Sequence, residues 1–511
     1  MSPTSSGGYS FTALLPDEAA TRRLMLDIAA LVDPGDLITL SGDLGAGKST
    51  FARAFIRHAA GDETIEVPSP TFTLMQSYDL PRYRLLHADL YRIASAGELA
   101  ELGFDELREG AVTLLEWPDR AAAMLPPDRL DVALTLVPGT GPTVRRARVT
   151  GYGVFAARAE RMARMRTFLE ASGFAQAERR RIQGDASTRS YERLTRDGTS
   201  FIFMNSPRRP DGPPVRDDKP YSAIAHLAES VTPFIAMARG LTDRGLSAPK
   251  IFAADREAGL IVLEDLGNDL VVSGDPPAPI EDRYGAAADV LAALHGMALP
   301  ELLPVETGLD YQLAGYDMQA LLIEAELLLD WYLPKFNATI SNAARENFIA
   351  HWHNALTPAL DAPPTWVLRD YHSPNLLWLP QREGIARVGL LDFQDAVMGP
   401  AAYDVASLLQ DARVDVPETM EIALLTRYTR ARRAADPTFN AAHFAQLYAT
   451  MAAQRASKIL GIFARLEKRD HKPHYLRHMP RVWAYLRRSL AHPALETLQS
   501  WYRAHVPALR T

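Results

Sequence analysis

At 511 residues the chain is too long for one ordinary core, and at roughly 100 to 200 residues per domain it should hold about three structural units. Its 47% hydrophobic and 23% charged residues are ordinary for a folded soluble protein, while a net charge of −7 supplies no general pull toward nucleic acid or an anionic membrane. Direct, tight RNA binding is therefore not expected, and the absence of cysteine excludes disulfides, cysteine-ligated zinc and thiol catalysis. The opening MSPTSSGGYSFTALLPDEAA has neither the basic nor the apolar region of a secretory signal, and no run reaches the roughly 18 apolar residues of a membrane span. A cytoplasmic protein is expected.

In chain order, apolar residues at helical spacing between Asp17 and Val32 lead to a short buried strand, Asp36 to Leu40. That strand runs directly into Gly42-Asp43-Leu44-Gly45-Ala46-Gly47-Lys48-Ser49-Thr50, which matches G-x-x-x-x-G-K-[ST] in full. Glycines there let successive backbone N–H groups face phosphate oxygens, Lys48 neutralises the outer phosphates, and the Ser49 hydroxyl is a magnesium ligand. Further strand-like runs are RYRLLHADL, AVTLLEW and RLDVALTLV, with a helical segment at 97–107 between the first two. The alternation predicts an α/β P-loop NTPase domain over residues 1–152. Phosphoryl chemistry also needs an acidic strand end and a group that places water. Glu116 suits the first role, Asp89 is placed to organise water or metal, and Thr71 sits in a switch-like loop that reaches toward the γ-phosphate.

Near Gly151 the pattern turns from strand to helix through two glycines, and a linker is placed at 153–160. From 161 to 268 the segments STRSYERL, SFIFMNSP, PKIFAAD and GLIVLEDLG predict a small β-rich lobe; from 269 to 511 the pattern is helical apart from strands around one loop. This is the layout of a bilobal α+β kinase-like phosphotransferase. The loop, Arg369-Asp370-Tyr-His-Ser-Pro-Asn375, has D-x-x-x-x-N spacing, and Asp392 follows in LLDFQD. Asp370 is the expected acceptor of the substrate hydroxyl proton, and Asn375 and Asp392 are the expected Mg²⁺ ligands on ATP. No lysine stands in SFIFMNSP to pair with the nucleotide phosphates, which leaves Arg189, Arg193 and Lys219 as candidate cations.

The first set of motifs, GDLGAGKST, SPTFTL, HADLYR and LLEWPDR, resembles the ATPase subunit (the TsaE family) of the bacterial machinery that makes threonylcarbamoyladenosine in tRNA. The resemblance implies ATP hydrolysis with Mg²⁺ held by Ser49 and Glu116, Asp89 supporting hydrolysis, and Trp117 beside the nucleotide. It also implies two partners, the threonylcarbamoyltransferase and its non-catalytic paralogue. The second set, GDASTRSYERL, LAALHG, LRDYHSPN and GPAAYDVASLL, resembles the aminoglycoside phosphotransferase superfamily. EAELLLDWYL and QRASKILGIFARL bring it nearer to the anomeric kinases of N-acetylmuramate and N-acetylglucosamine, which serve peptidoglycan recycling. That likeness adds Gly184 and Ser187 to the nucleotide-binding set with Arg189, and Glu324 and Asp330 as substrate candidates. The histidine usual two residues before the catalytic aspartate is Leu368 here. A kinase for another alcohol, of aminoglycoside, choline or homoserine type, and a non-catalytic tether are the competing readings of this half. The Arg-, Lys- and His-rich stretch from Gln454 to Arg488 fits either an anionic sugar or solvated helix faces.

Overall fold

The computed structural model describes residues 8–71, 73–93, 96–141, 143–182 and 189–507. The chain divides into two compact units, residues 1–179 and 180–511.

In the first unit a seven-stranded sheet runs in the order β1-β7-β6-β2-β5-β4-β3. Its strands are β1 (Tyr9–Leu15), β2 (Leu37–Ser41), β3 (Met75–Asp79), β4 (Arg84–Asp89), β5 (Val112–Glu116), β6 (Arg129–Leu136) and β7 (Arg145–Tyr152). The middle strands β4, β5, β2 and β6 pair parallel, and the rim pairs β3/β4, β1/β7 and β6/β7 are antiparallel. Leu37 to Leu40 and all of β5 are buried, the continuous apolar reading that a strand covered on both faces requires. Helices α1 (Glu18–Ala29) and α2 (Lys48–Ala60) supply Leu24, Ile28, Phe51 and Phe55 to this core. Where an uninterrupted helix is expected at 97–107, two short ones form, α3 (Ala96–Glu101) and α4 (Phe104–Arg108), parted at Gly103 with φ 70°.

The segment 153–160 is not a linker. It opens α5 (Val154–Ala171), whose Phe155, Ala159 and Met162 are buried in the same core as β1 and β7. The two glycines make a tight strand-to-helix corner: a Cβ at Gly151 would lie 2.1 Å from the Phe155 carbonyl oxygen, and Gly153 takes φ +57°. A corner and a domain join share this glycine signature, and only burial tells them apart.

The second unit begins with a sheet in which β8 (Ser190–Arg196), β9 (Thr199–Asn205), β11 (Leu260–Glu264) and β10 (Ile251–Asp255) are antiparallel neighbours in that order. Asp197 and Gly198, both at positive φ, close the β8/β9 hairpin, the backbone such a two-residue turn demands. Helical structure then dominates, including α6 (Glu281–Leu294), α7 (Met318–Leu327), α8 (Ala402–Leu409) and the 30-residue α9 (Ala441–Asp470). Between α7 and α8 two short hairpin ladders, Thr365–Val367 with Val397–Gly399 and Leu376–Trp378 with Val388–Leu390, hold the D-x-x-x-x-N loop. α9 crosses the turn after α7 so closely that a Cβ at Gly461 would lie 2.4 Å from the Leu327 carbonyl oxygen. Among the described residues no helix is long and apolar enough to cross a membrane.

Candidate functional sites

In the first unit the parallel register sets Asp89 opposite Glu116, and Glu116 opposite Leu40, so three strand ends open at one edge of the sheet. The loop from Gly42 to Gly47 leaves β2 at this edge, where open α/β sheets take their ligands. Gly42 has φ +137° and packs so that a Cβ would meet the Leu134 carbonyl oxygen at 2.2 Å; Gly47, at φ +105°, caps α2 and leaves that helix's N-terminal N–H groups without a side-chain cap. Lys48 is 5% exposed; its ammonium donates to the carbonyls of Gly42 (2.8 Å) and Asp43 (3.0 Å) and lies 3.7 Å above the Trp117 ring. Burial lowers its pKa, with Glu116, Asp89 and Asp43 pulling the other way.

Glu116 is 1% exposed and accepts from the Ser49 hydroxyl at 2.9 Å, while its other oxygen lies 2.9 Å from His87 Nε2. Asp89 accepts from the hydroxyls of Thr71 (3.0 Å) and Ser69 (3.3 Å) and from the Tyr91 N–H (3.0 Å). The residues expected from sequence thus meet in one place, and a hydroxyl with a buried carboxylate is the hard oxygen pair that suits Mg²⁺ beside phosphates. Two participants escape sequence reading. His87 orients Glu116, although it stands two residues before Asp89 in the quoted motif. Arg145, on β7, donates to the carbonyl oxygens of Ala46 (3.1 Å) and Gly45 (3.4 Å) and braces the loop from outside.

In the second unit a cleft of about 800 Å³ collects the D-x-x-x-x-N loop, the LLDFQD strand end and the β-rich lobe. Ile202, Leu263, Leu377 and Leu391 give the cleft its apolar lining, and Asp370, His372, Asn375 and Asp392 its polar one. Asn375 spends its amide N–H on the Asp370 carbonyl at 2.9 Å, which leaves Oδ1 as an oxygen ligand, and Asp392 is 42% exposed to the cleft. These donors also fit Mg²⁺ on a nucleotide.

The two carboxylates split. Burial alone would raise the Asp370 carboxyl, but His372, Lys458, Arg369 and Arg455 outweigh it and hold it below the usual range. Burial and the neighbouring Asp370 charge push Asp392 above it. The backbone beneath is fixed by Asp404 of α8, which accepts from the N–H groups of Leu368 (2.6 Å) and Arg369 (2.9 Å), and by Asp411, which accepts from Ser373 N–H at 2.8 Å. GPAAYDVASLL carries Asp404, but nothing in its spacing says that the carboxylate braces a loop 35 residues upstream.

The cation candidates separate. Arg189 lies in the cleft and donates to Asp392 Oδ1 at 3.1 Å. Arg193 is committed to Asp265 (2.7 Å) and Asn268 (3.0 Å), and Lys219 is exposed on a small hairpin that does not line the cleft. Gly184 and Ser187 lie outside the described residues.

The substrate candidates do not reach the cleft. Glu324 is fully buried on α7, bonded to Arg369, to Lys458 at 2.8 Å, to the Tyr316 hydroxyl at 2.5 Å and to Gln454 at 3.3 Å. Burial works against its charge, yet Lys458 and Arg369 hold its pKa at about 2. Its role is to anchor the arginine next to Asp370. Asp330 pairs with Arg345 on the helical surface. An acidic residue on a leucine-rich helix is equally legible as a ligand or as a buried countercharge until its partners are known.

Comparisons with known proteins agree with this division. A family model described as "Threonylcarbamoyl adenosine biosynthesis protein TsaE" matches residues 15–140, and one described as "Phosphotransferase enzyme family" matches residues 178–438. An N-acetylmuramate/N-acetylglucosamine kinase of Caulobacter vibrioides is 42% identical over 365 residues, covering 68% of this chain and 97% of that protein. A kinase of the same name from Pseudomonas aeruginosa is 32% identical over 315 residues, 60% of this chain and 82% of that one. A tRNA threonylcarbamoyladenosine biosynthesis protein TsaE of Rickettsia felis is 39% identical over 124 residues, 24% of this chain and 72% of that protein. The chain therefore belongs to the TsaE family through its first unit and to the phosphotransferase enzyme family through its second, the latter in a branch like the N-acetylmuramate/N-acetylglucosamine kinases.

Proposed function

We propose that the second unit transfers the γ-phosphoryl group of ATP to the anomeric hydroxyl of N-acetylmuramate or N-acetylglucosamine, in cytoplasmic salvage of cell-wall sugars. The observation that carries this reading is the meeting of Asp370, Asn375 and Asp392 in one cleft of about 800 Å³ that Ile202, Leu263, Leu377 and Leu391 also line. Asp370, kept ionised by its cationic neighbours, takes the proton of the sugar hydroxyl as that oxygen bonds to the γ-phosphorus and the bond to the ADP oxygen breaks. Mg²⁺ held by Asn375 and Asp392 would supply charge neutralisation on the phosphates. Arg189 takes the place of the missing lysine.

The first unit, in the same reading, hydrolyses ATP in support of threonylcarbamoyladenosine formation at tRNA position 37, acting through the threonylcarbamoyltransferase and its non-catalytic paralogue. Lys48 and the loop amides hold the phosphates, Ser49 and Glu116 would hold Mg²⁺, and Asp89 with Thr71 places the attacking water. Incubating the full chain with ATP and each candidate acceptor tests the kinase half. Sugar 1-phosphate is expected, and turnover of choline or an aminoglycoside with no sugar phosphate would overturn the assignment. In the Asp370→Ala background the remaining ATPase activity should rise when the two partner proteins are added and vanish on Lys48→Ala.

A further inference from the structure

Four arginines line the cleft of the second unit, and their commitments differ. Arg189 and Arg193 are paired to Asp392 and Asp265. Arg209 belongs to the β-rich side, where its charge is felt by Tyr191. Arg413 stands at the Asp370 end: its guanidinium lies 3.2 Å from His372 Nε2, and His372 Nε2 lies 3.7 Å from Asp370 Oδ1. An imidazole carries no negative charge in either protonation state, so His372 holds Arg413 without supplying a countercharge. The nearby carboxylate, Asp411, accepts from the N–H groups of Arg413 (2.8 Å) and Ser373 (2.8 Å) and is not ion-paired to the Arg413 guanidinium among the described residues. Among the described residues no ion pair neutralises the Arg413 side chain.

Arg413 is thus fixed at its backbone, bonded to an imidazole next to Asp370 and part of the cleft lining, with no ion pair among the described residues. Buried in the same region, Arg455 of α9 is 6% exposed and makes no hydrogen bond among the described residues, though its charge acts on both Asp370 and His372. Such a place favours a carboxylate over a neutral group. Resting on the sugar-kinase reading, we infer that Arg413 is the specificity residue for an anionic substituent of the acceptor, pairing with the lactyl carboxylate that N-acetylmuramate has and N-acetylglucosamine lacks.

The test measures kcat/KM of the full chain for both sugars and for the neutral lactyl amide of N-acetylmuramate. In the wild type the amide should fall about 30-fold below the acid, the size of a lost charge-assisted hydrogen bond pair. Arg413→Met should lower kcat/KM for N-acetylmuramate by about the same 30-fold, for N-acetylglucosamine by only about threefold, and should remove the difference between acid and amide. Arg413→Lys should restore part of the preference. Equal wild-type turnover of acid and amide overturns the inference without any variant, as does an equal loss for both sugars with a raised KM for ATP, which would place Arg413 on the phosphates. If the wild type phosphorylates neither sugar, it is the kinase reading that fails.

Discussion

In the first unit the groups that the proposed site would offer to phosphate are mostly backbone: glycine N–H groups, a helix N-terminus and one lysine whose ammonium rests on two carbonyls of its own loop. In the second unit they are side chains: Asn375 and Asp392 flank one end of the ladder that pairs Leu376–Trp378 with Val388–Leu390, Arg189 precedes β8, and the loop backbone before Asn375 is held by the buried carboxylates of Asp404 and Asp411. A main-chain cradle tolerates side-chain change but not a change in backbone conformation. A side-chain cradle depends on what stands behind it, so its weak points lie deeper, at Glu324, Asp404 and Asp411.

The largest effects should come from removing one member of each chemical set. Asp370→Ala is expected to lower phosphotransfer by about 10²- to 10⁴-fold, as loss of a general base does, with the ATPase of the first unit intact. Lys48→Ala should give the mirror image. Separate assays for sugar phosphate and inorganic phosphate check both, and a shared loss would dissolve the distinction between two independent sites.

Next in size is the anchor behind Asp370. Glu324→Gln leaves Arg369 and Lys458 buried without their carboxylate and should destabilise the second unit by about 3–5 kcal/mol, read as a lower thermal transition. Kinase activity should fall with it, while the ATPase survives. In the first unit the matching test is Gly42→Ala, which forces an L side chain to φ +137° and against the Leu134 carbonyl. Strain of about 1–3 kcal/mol should appear as weaker nucleotide binding by titration.

Acid should also separate the units. His295, buried beside the Tyr428 hydroxyl at 2.9 Å, has its pKa lowered to about 3 by burial, and Glu324 sits at about 2 despite its burial. Both folded values lie below the unfolded ones of 6.5 and 4.5. The stability they contribute is therefore complete at neutral pH, declines below pH 6.5 as the unfolded histidine takes protons, and declines further below pH 4.5. Thermal melts at pH 7, 5 and 4 should show the second unit's transition falling first, and Glu324→Gln should remove the lower part of that slope. The smallest effect is expected from Arg145→Ala, which removes two hydrogen bonds to P-loop carbonyls and should weaken nucleotide binding by about 1 kcal/mol.

The first site was largely legible because its parts lie next to a strand or loop with local signals: Gly42 to Ser49 are contiguous, and Asp89 and Glu116 end apolar runs. The register that sets those two side by side needed the sheet. In the second unit Asp370, Asn375 and Asp392 follow from spacing, yet the residues that steady them arrive from α7, α8 and α9, and no local pattern separates a buried countercharge from a ligand. Glu324 was misplaced for that reason. Arg413 went unnoticed because its significance lies in what it lacks, a carboxylate partner, and a sequence does not display missing partners. The false linker at 153–160 has the same origin, since glycine reports backbone freedom and not the burial of the helix beyond it.

Lys48 stands 3.7 Å above the ring of Trp117, which is the only tryptophan in residues 1–179. An ammonium at that distance perturbs indole emission, and a lysine that turns toward phosphate must leave or shift on the ring. Under the proposed ATPase role, the first unit carries its own optical reporter of nucleotide occupancy. In a chain whose other six tryptophans all fall in the second unit, emission that changes with nucleotide in the wild type but not in Trp117→Phe gives a readout of one site without interference from the other.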